Sequence, residues 1–140
     1  MEILVALAII AVTSIPGNIM TSSYKDLAAQ LGSKLKDFKQ EIPETMQGFN
    51  QLGKAIHGDG ALSAKTKELI AMAIGISARC QGCLAFHAQA CVRMGVTRAE
   101  FEEMLQVAVY MGGGPSLMTA AEALSAYEEF GGEKAAGSAT

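Results

Sequence analysis

Beyond Met20, apolar residues recur at intervals of three and four, and no stretch alternates convincingly between polar and apolar, so the chain is patterned for helices and not for a sheet. Ser22 or Ser23 can cap a first helix running through Lys25, Leu27, Leu31, Leu35 and Phe38. Pro43 interrupts it and suits the first turn of a second helix, over 43–56, which ends in the turn-forming run His57-Gly58-Asp59-Gly60. Ser63 caps a third, carrying Glu68, Leu69, Ile70, Met72, Ala73 and Ile76; apolar on most faces, it should be central. A break near Ala78 and Arg79 leads into a fourth helix that begins around Cys80 and ends at Gly95, a left-handed cap. Thr97 and Glu100 form a capping box for the next helix, through Phe101, Met104 and Leu105 to Gly112-Gly113-Gly114. Pro115 opens a last one, through Leu117, Ala121, Leu124 and Tyr127, closed by Gly131-Gly132. The expectation is an all-α domain of about six helices.

At 140 residues the chain can bury one core without staples, and the pattern places a single domain over residues 20–132, followed by a small, polar tail over 133–140. Residues 1–19 stand apart. Ile3 to Val12 is an unbroken apolar run, shorter than the ~20 residues that cross a bilayer. Glu2 is negative where an export signal would carry positive charge. The segment reads as an upstream extension, with an export signal or a strip that packs on a neighbouring subunit as alternatives.

Half of the residues are hydrophobic and only 18% are charged, which for a small domain predicts apolar surface hidden in a homo-oligomer. The net charge of -3 and the scattered lysines exclude a nucleic-acid footprint. Three cysteines, two of them close together, fit catalytic or metal-binding thiols in a reducing, cytoplasmic setting better than a secreted disulfide framework.

The chemistry gathers at Cys80-Gln81-Gly82-Cys83, with His87 four residues on and Glu68 on the preceding helix. At a helix N-terminus the two thiols lie one turn apart, and the free amides and dipole favour thiolate. His87 projects from the same face, where an imidazole can take a thiol proton directly or through water. If the two helices pack antiparallel, Glu68 can orient that ring; a carboxylate in an apolar helix needs a partner in any case. Two other readings stay open from these residues alone. One is a zinc site of Cys80, Cys83 and His87 with an open fourth position; the other is a structural pairing of Glu68 with His87 in a non-redox scaffold. Cys91 falls on a different face and reads as a small buried hydrophobe, and His57 as a solvated loop histidine.

The stretch from Asp59 to Phe130 resembles the carboxymuconolactone decarboxylase family, specifically its alkylhydroperoxidase (AhpD-like) branch. The likeness lies in Gly60-Ala-Leu-Ser-Ala-Lys-Thr-Lys-Glu-Leu-Ile70, Arg79-Cys-Gln-Gly-Cys-Leu-Ala-Phe-His87 and Met111-Gly-Gly-Gly-Pro-Ser-Leu-Met118. The spacing Glu, eleven residues, Cys-x-x-Cys, three residues, His is its most specific part. The resemblance implies an all-helical fold assembled as a homotrimer or homohexamer and a cysteine-dependent peroxidase or thiol–disulfide oxidoreductase. By that pattern Cys83 is the attacking thiol, Cys80 resolves the sulfenic acid into a disulfide, and His87 and Glu68 relay the proton. Characterised alkylhydroperoxidases of this type carry a further histidine between the cysteines, where this chain has Gly82, so a weaker relay is implied. The decarboxylating branch does not depend on a cysteine pair, which argues against lactone decarboxylation. No flavin, haem or nicotinamide motif is present in the sequence, so no cofactor is expected; the partners would be a peroxide or disulfide substrate and a thiol electron donor, either a protein or a small dithiol, with no membrane and no nucleic acid.

Overall fold

The computed structural model describes residues 23–134, all-helical, with α1 at Tyr24–Glu41, α2 at Pro43–Ile56, α3 at Ala64–Ser77, α4 at Gln81–Arg93 and α5 at Arg98–Glu129. What the sequence suggested for residues 1–19 and for the tail from 135 on lies outside the described residues.

The boundaries follow from local chemistry. The Ser23 and Ser63 hydroxyls accept from the amides of Asp26 and Thr66, which would otherwise lack partners in the first turn. Thr97 and Glu100 close the capping box of α5 in both directions. Gly95, at φ 69, takes the left-handed conformation that ends α4's last turn.

As the sequence suggests, the run Gly112-Gly113-Gly114 ends one helical segment and the next opens at Pro115, so α5 is two helices that meet at a kink with almost no linker between them. Gly113 takes φ 64, ψ -152, which is not helical, and Pro115 falls in the first turn of the second segment, where its missing amide costs no intrahelical bond.

The core lies where α3, α4 and α5 meet. Met72, Ile76, Leu84, Ala88, Cys91, Phe101 and Tyr127 are almost completely removed from water. Phe101 and Tyr127 stack with ring centroids 4.5 Å apart, and the Tyr127 hydroxyl donates to the Val96 carbonyl at 2.8 Å, so its polar end is satisfied inside the core. Fully buried alanines at 85, 88, 123 and 126 let the helices approach closely. Helix α3 is central as expected, yet Ile70 and Ile74 on its outer face stay exposed.

Helix α1 lies against α4, and its start is pinned to the end of α5. The Tyr24 and Lys25 amides both donate to the Glu129 carboxylate at 3.0 Å. Burial works against that charge, but the Ser23 hydroxyl, the two amides and the Lys25 ammonium together hold the carboxyl below its ordinary value. A carboxyl depressed in the folded state stabilises the fold above the ordinary carboxylate range, and the contribution fades as pH falls through the depressed value. Glu129→Gln is therefore expected to lower the protection factors of the Tyr24 and Lys25 amides at neutral pH, and acidification should lower the same protection factors, taken against the intrinsic rate at each pH, in the unmodified protein. Protection that is indifferent to both changes would remove Glu129 from this role.

Helix α2 buries no side chain. It leaves Phe49 and Leu52 about two-thirds exposed, at 68% and 67%, and forms one side of a pocket over α4. Among the described residues no helix is long and apolar enough to cross a membrane.

Candidate active site

The turn after α3 delivers the cysteine pair. Arg79 adopts φ 54, a left-handed conformation costing a non-glycine residue about 1–2 kcal/mol, and so redirects the chain into α4. Cys80 is the N-cap of α4: its sulfur accepts the Cys83 amide at 3.1 Å, doing what a serine or aspartate oxygen does elsewhere. Its own amide donates to the Gly75 carbonyl at 3.1 Å. Cys80 and Cys83 are joined as a disulfide across a Cα separation of 5.1 Å, and both residues are half-buried.

Gly75, in the last turn of α3, makes room for this. A Cβ built there would stand 3.1 Å from the Cys83 Cβ, so a side chain at this position would require α4 to give by a few tenths of an ångström beside Cys83. Sequence reasoning passed over this residue. A glycine inside an apolar helix costs about 1 kcal/mol against alanine and is for that reason a sign of close approach.

Glu68 and His87, nineteen residues apart in sequence, meet. Nδ1 of His87 lies 2.5 Å from Oε1 of Glu68. The Glu68 side chain is only 7% exposed, while the His87 ring is 33% exposed. With Nδ1–H donated to the carboxylate, a neutral imidazole has its lone pair on Nε2, the nitrogen left to accept a proton. The arrangement is a base held in one tautomer by a buried acid, one helical turn from Cys83.

These four residues share one pocket of about 620 Å³ enclosed by α1, α2, α3 and α4. Its walls are largely apolar: Leu31 and Leu35 from α1, Phe49 and Ile56 from α2, Phe86 from α4. Lys67 and His57 complete it. Lys67 is committed, its Nζ donating to the Ile56 and Gly58 carbonyls at 3.2 and 2.8 Å and tying the end of α2 to α3. His57, read from sequence as a solvated loop residue, is exposed but belongs to the pocket wall. Gly82 is pressed by α1: a Cβ there would come within 2.8 Å of the Leu31 Cδ1, so this position between the cysteines is roofed by an aliphatic side chain.

Outside the pocket, Tyr24 donates to the Gln81 Oε1 at 3.0 Å, and Gln81 donates in turn to Glu122, bracing the first residue of α4 against α1 and α5. Cys91 is wholly buried and free. Burial first, and the nearby Glu68 charge second, push its thiol up to about 12, so it stays protonated and inert. Among the described residues no three His, Cys, Asp or Glu side chains group as a metal site.

Known proteins share this architecture. A protein of Legionella pneumophila from the carboxymuconolactone decarboxylase family, solved in its apo form, superposes with a TM-score of 0.75 at 51% identity, covering 76% of this chain and 96% of that one. A Thermotoga maritima member of the same family, for which a role in the antioxidative response has been suggested, superposes with a TM-score of 0.56 at 28% identity over 69% of this chain and 88% of its own. An uncharacterised protein of Cupriavidus necator is 34% identical over 109 residues, which is 78% of this chain and 96% of that relative. The family's sequence pattern matches residues 43–126, more than half of the chain and all of α2 through α4. The protein belongs to the carboxymuconolactone decarboxylase family.

Proposed function

We propose that the protein is a cysteine-dependent peroxidase or thiol–disulfide oxidoreductase of the alkylhydroperoxidase type, cycling a Cys80–Cys83 disulfide. The observation that carries this reading is the 2.5 Å pairing of Glu68 with His87 in the same pocket as the two sulfurs. A disulfide alone could be structural. A buried carboxylate aligning an imidazole beside it is the equipment for moving a thiol proton.

In the reduced protein, His87 accepts the Cys83 proton and the Cys83 sulfur attacks the terminal oxygen of a peroxide. An S–O bond forms, the O–O bond breaks, and an alcohol or water leaves. The Cys80 sulfur then displaces hydroxide from the Cys83 sulfenic acid, closing the disulfide and releasing water. The N-cap position of Cys80 supports that second role, because the helix start stabilises its thiolate. Two electrons from an external dithiol, protein-borne or small, reopen the bond by exchange.

The family's name covers decarboxylation of a lactone, but the paired sulfurs favour redox chemistry. The exposed apolar side chains of α3 and α5, among them Ile74, Val107, Tyr110 and Met118, support assembly into a homotrimer or homohexamer. The sparse cysteines support a cytoplasmic, reducing setting.

Reduced protein treated briefly with peroxide should lose about two daltons, the two thiol hydrogens, and the loss should map to the peptide holding Cys80 and Cys83. Peroxide turnover with an unchanged mass on that peptide would overturn the reading.

A further inference from the structure

The peroxide step asks for two proton movements, and His87 with Glu68 accounts for one. When the Cys83 sulfur breaks the O–O bond of an alkyl hydroperoxide, the departing oxygen leaves as an alkoxide, a strong base that needs a proton as the bond breaks. His87 takes the thiol proton on the sulfur side of the pocket, whereas in an in-line displacement the departing oxygen leaves on the side away from the sulfur, where a donor on another wall is better placed.

Apart from the two cysteines, four ionisable side chains line the pocket: Lys67, Glu68, His87 and His57. Glu68 and His87 are engaged with each other. Lys67 spends its ammonium on the Ile56 and Gly58 carbonyls. His57 is left, and among the described residues its ring makes no hydrogen bond. It caps the C-terminus of α2, and its backbone amide donates to the Gly53 carbonyl at 3.0 Å. The ring folds back along the helix: Nε2 lies 3.8 Å from where a Gly53 side chain would begin. Gly53 also lines the pocket, so the imidazole rests against the last turn of α2 on that wall. Histidine is the side chain that both holds and gives a proton near neutral pH. A pocket of about 620 Å³ accommodates an organic peroxide between the α4 and α2 walls.

We propose that His57 is the general acid that protonates the leaving alkoxide, a reading that rests on the peroxidase chemistry above. The step balances. The Cys83 sulfur is oxidised by two electrons to the sulfenic acid, which keeps the peroxide's own hydrogen, and the alkoxide takes the His57 proton and leaves as alcohol. The thiol proton stays on His87 until the hydroxide displaced by Cys80 collects it as water. The Cys80 proton passes to solvent, from which His57 is recharged.

The test is the rate of oxidation of the reduced protein by two probes, cumene hydroperoxide, which expels a strongly basic alkoxide, and peracetic acid, which expels weakly basic acetate. His57→Gln is expected to slow the first by about 10²-fold or more and the second by less than about threefold. His57 is exposed and makes no side-chain hydrogen bond, so the replacement leaves the core untouched. Equal slowing with both probes would make His57 a merely structural part of the wall and overturn the proposal, and so would no slowing with either. An unmodified protein that reacts with neither probe would overturn the peroxidase reading itself, and the role of His57 with it.

Discussion

Glu68→Gln is expected to slow peroxide-dependent consumption of a dithiol by about 10²–10³-fold while leaving the fold intact. The replacement is nearly isosteric, so the space beside His87 stays filled. What changes is the instruction given to the ring. A carboxylate can only accept, so it holds the proton on Nδ1 and leaves Nε2 free for the thiol. An amide can turn its NH2 toward Nδ1, which moves the ring proton to Nε2 and removes the base from the pocket. The carboxylate also stabilises the imidazolium that forms once the thiol proton arrives, and a neutral amide does not. Because Glu68 is buried and sits 2.5 Å from the ring, water cannot stand in for it. The measurement is dithiol oxidation by cumene hydroperoxide for the unmodified protein, Glu68→Gln and Cys83→Ser. Cys83→Ser should be inactive, since a serine hydroxyl neither attacks the peroxide nor forms the disulfide. A Glu68→Gln rate within about threefold of the unmodified protein would leave the pairing without a catalytic role.

The largest effect on stability is expected at Phe101. Phe101→Ala should cost about 3–5 kcal/mol, read as a fall in the urea midpoint at constant slope. That is a large share of the roughly 5–15 kcal/mol that holds an ordinary domain together. Phe101 has no exposed surface and stacks on Tyr127, whose hydroxyl ties the turn before α5 to its far end. Truncation leaves a cavity beside a ring that cannot collapse into it, because the Val96 carbonyl holds the Tyr127 hydroxyl in place. Tyr127→Phe should cost much less, about 1 kcal/mol, since it keeps the ring and removes one hydrogen bond. An unmoved midpoint in Phe101→Ala would mean that the stacked pair is not central to the core.

Much of this could be read from residue order. Ser23, Ser63, Thr97 and Glu100 announce helix starts because a cap is made within one turn, by atoms three residues apart. The spacing of Cys80, Cys83 and His87 puts three reactive groups on one side of α4 for the same reason. The glycine run at 112–114 marks a helix break for a local reason too, and only the sharpness of the junction, set by φ 64, ψ -152 at Gly113 and by what the two halves of α5 pack against, lay beyond the sequence.

What residue order settled for this protein is whatever hydrogen bonding and side-chain direction decide within a turn or two: an all-helical chain, its caps, and sulfurs and imidazole along one face. Only the packing of separate helices could bring Glu68 within 2.5 Å of His87, let α4 settle against Gly75, and bring Phe49 of α2 and the His57 that caps it into one pocket with the disulfide. Those contacts depend on how one helix crosses another, and the crossing is chosen by the whole buried surface at once, so no short stretch of sequence carries it.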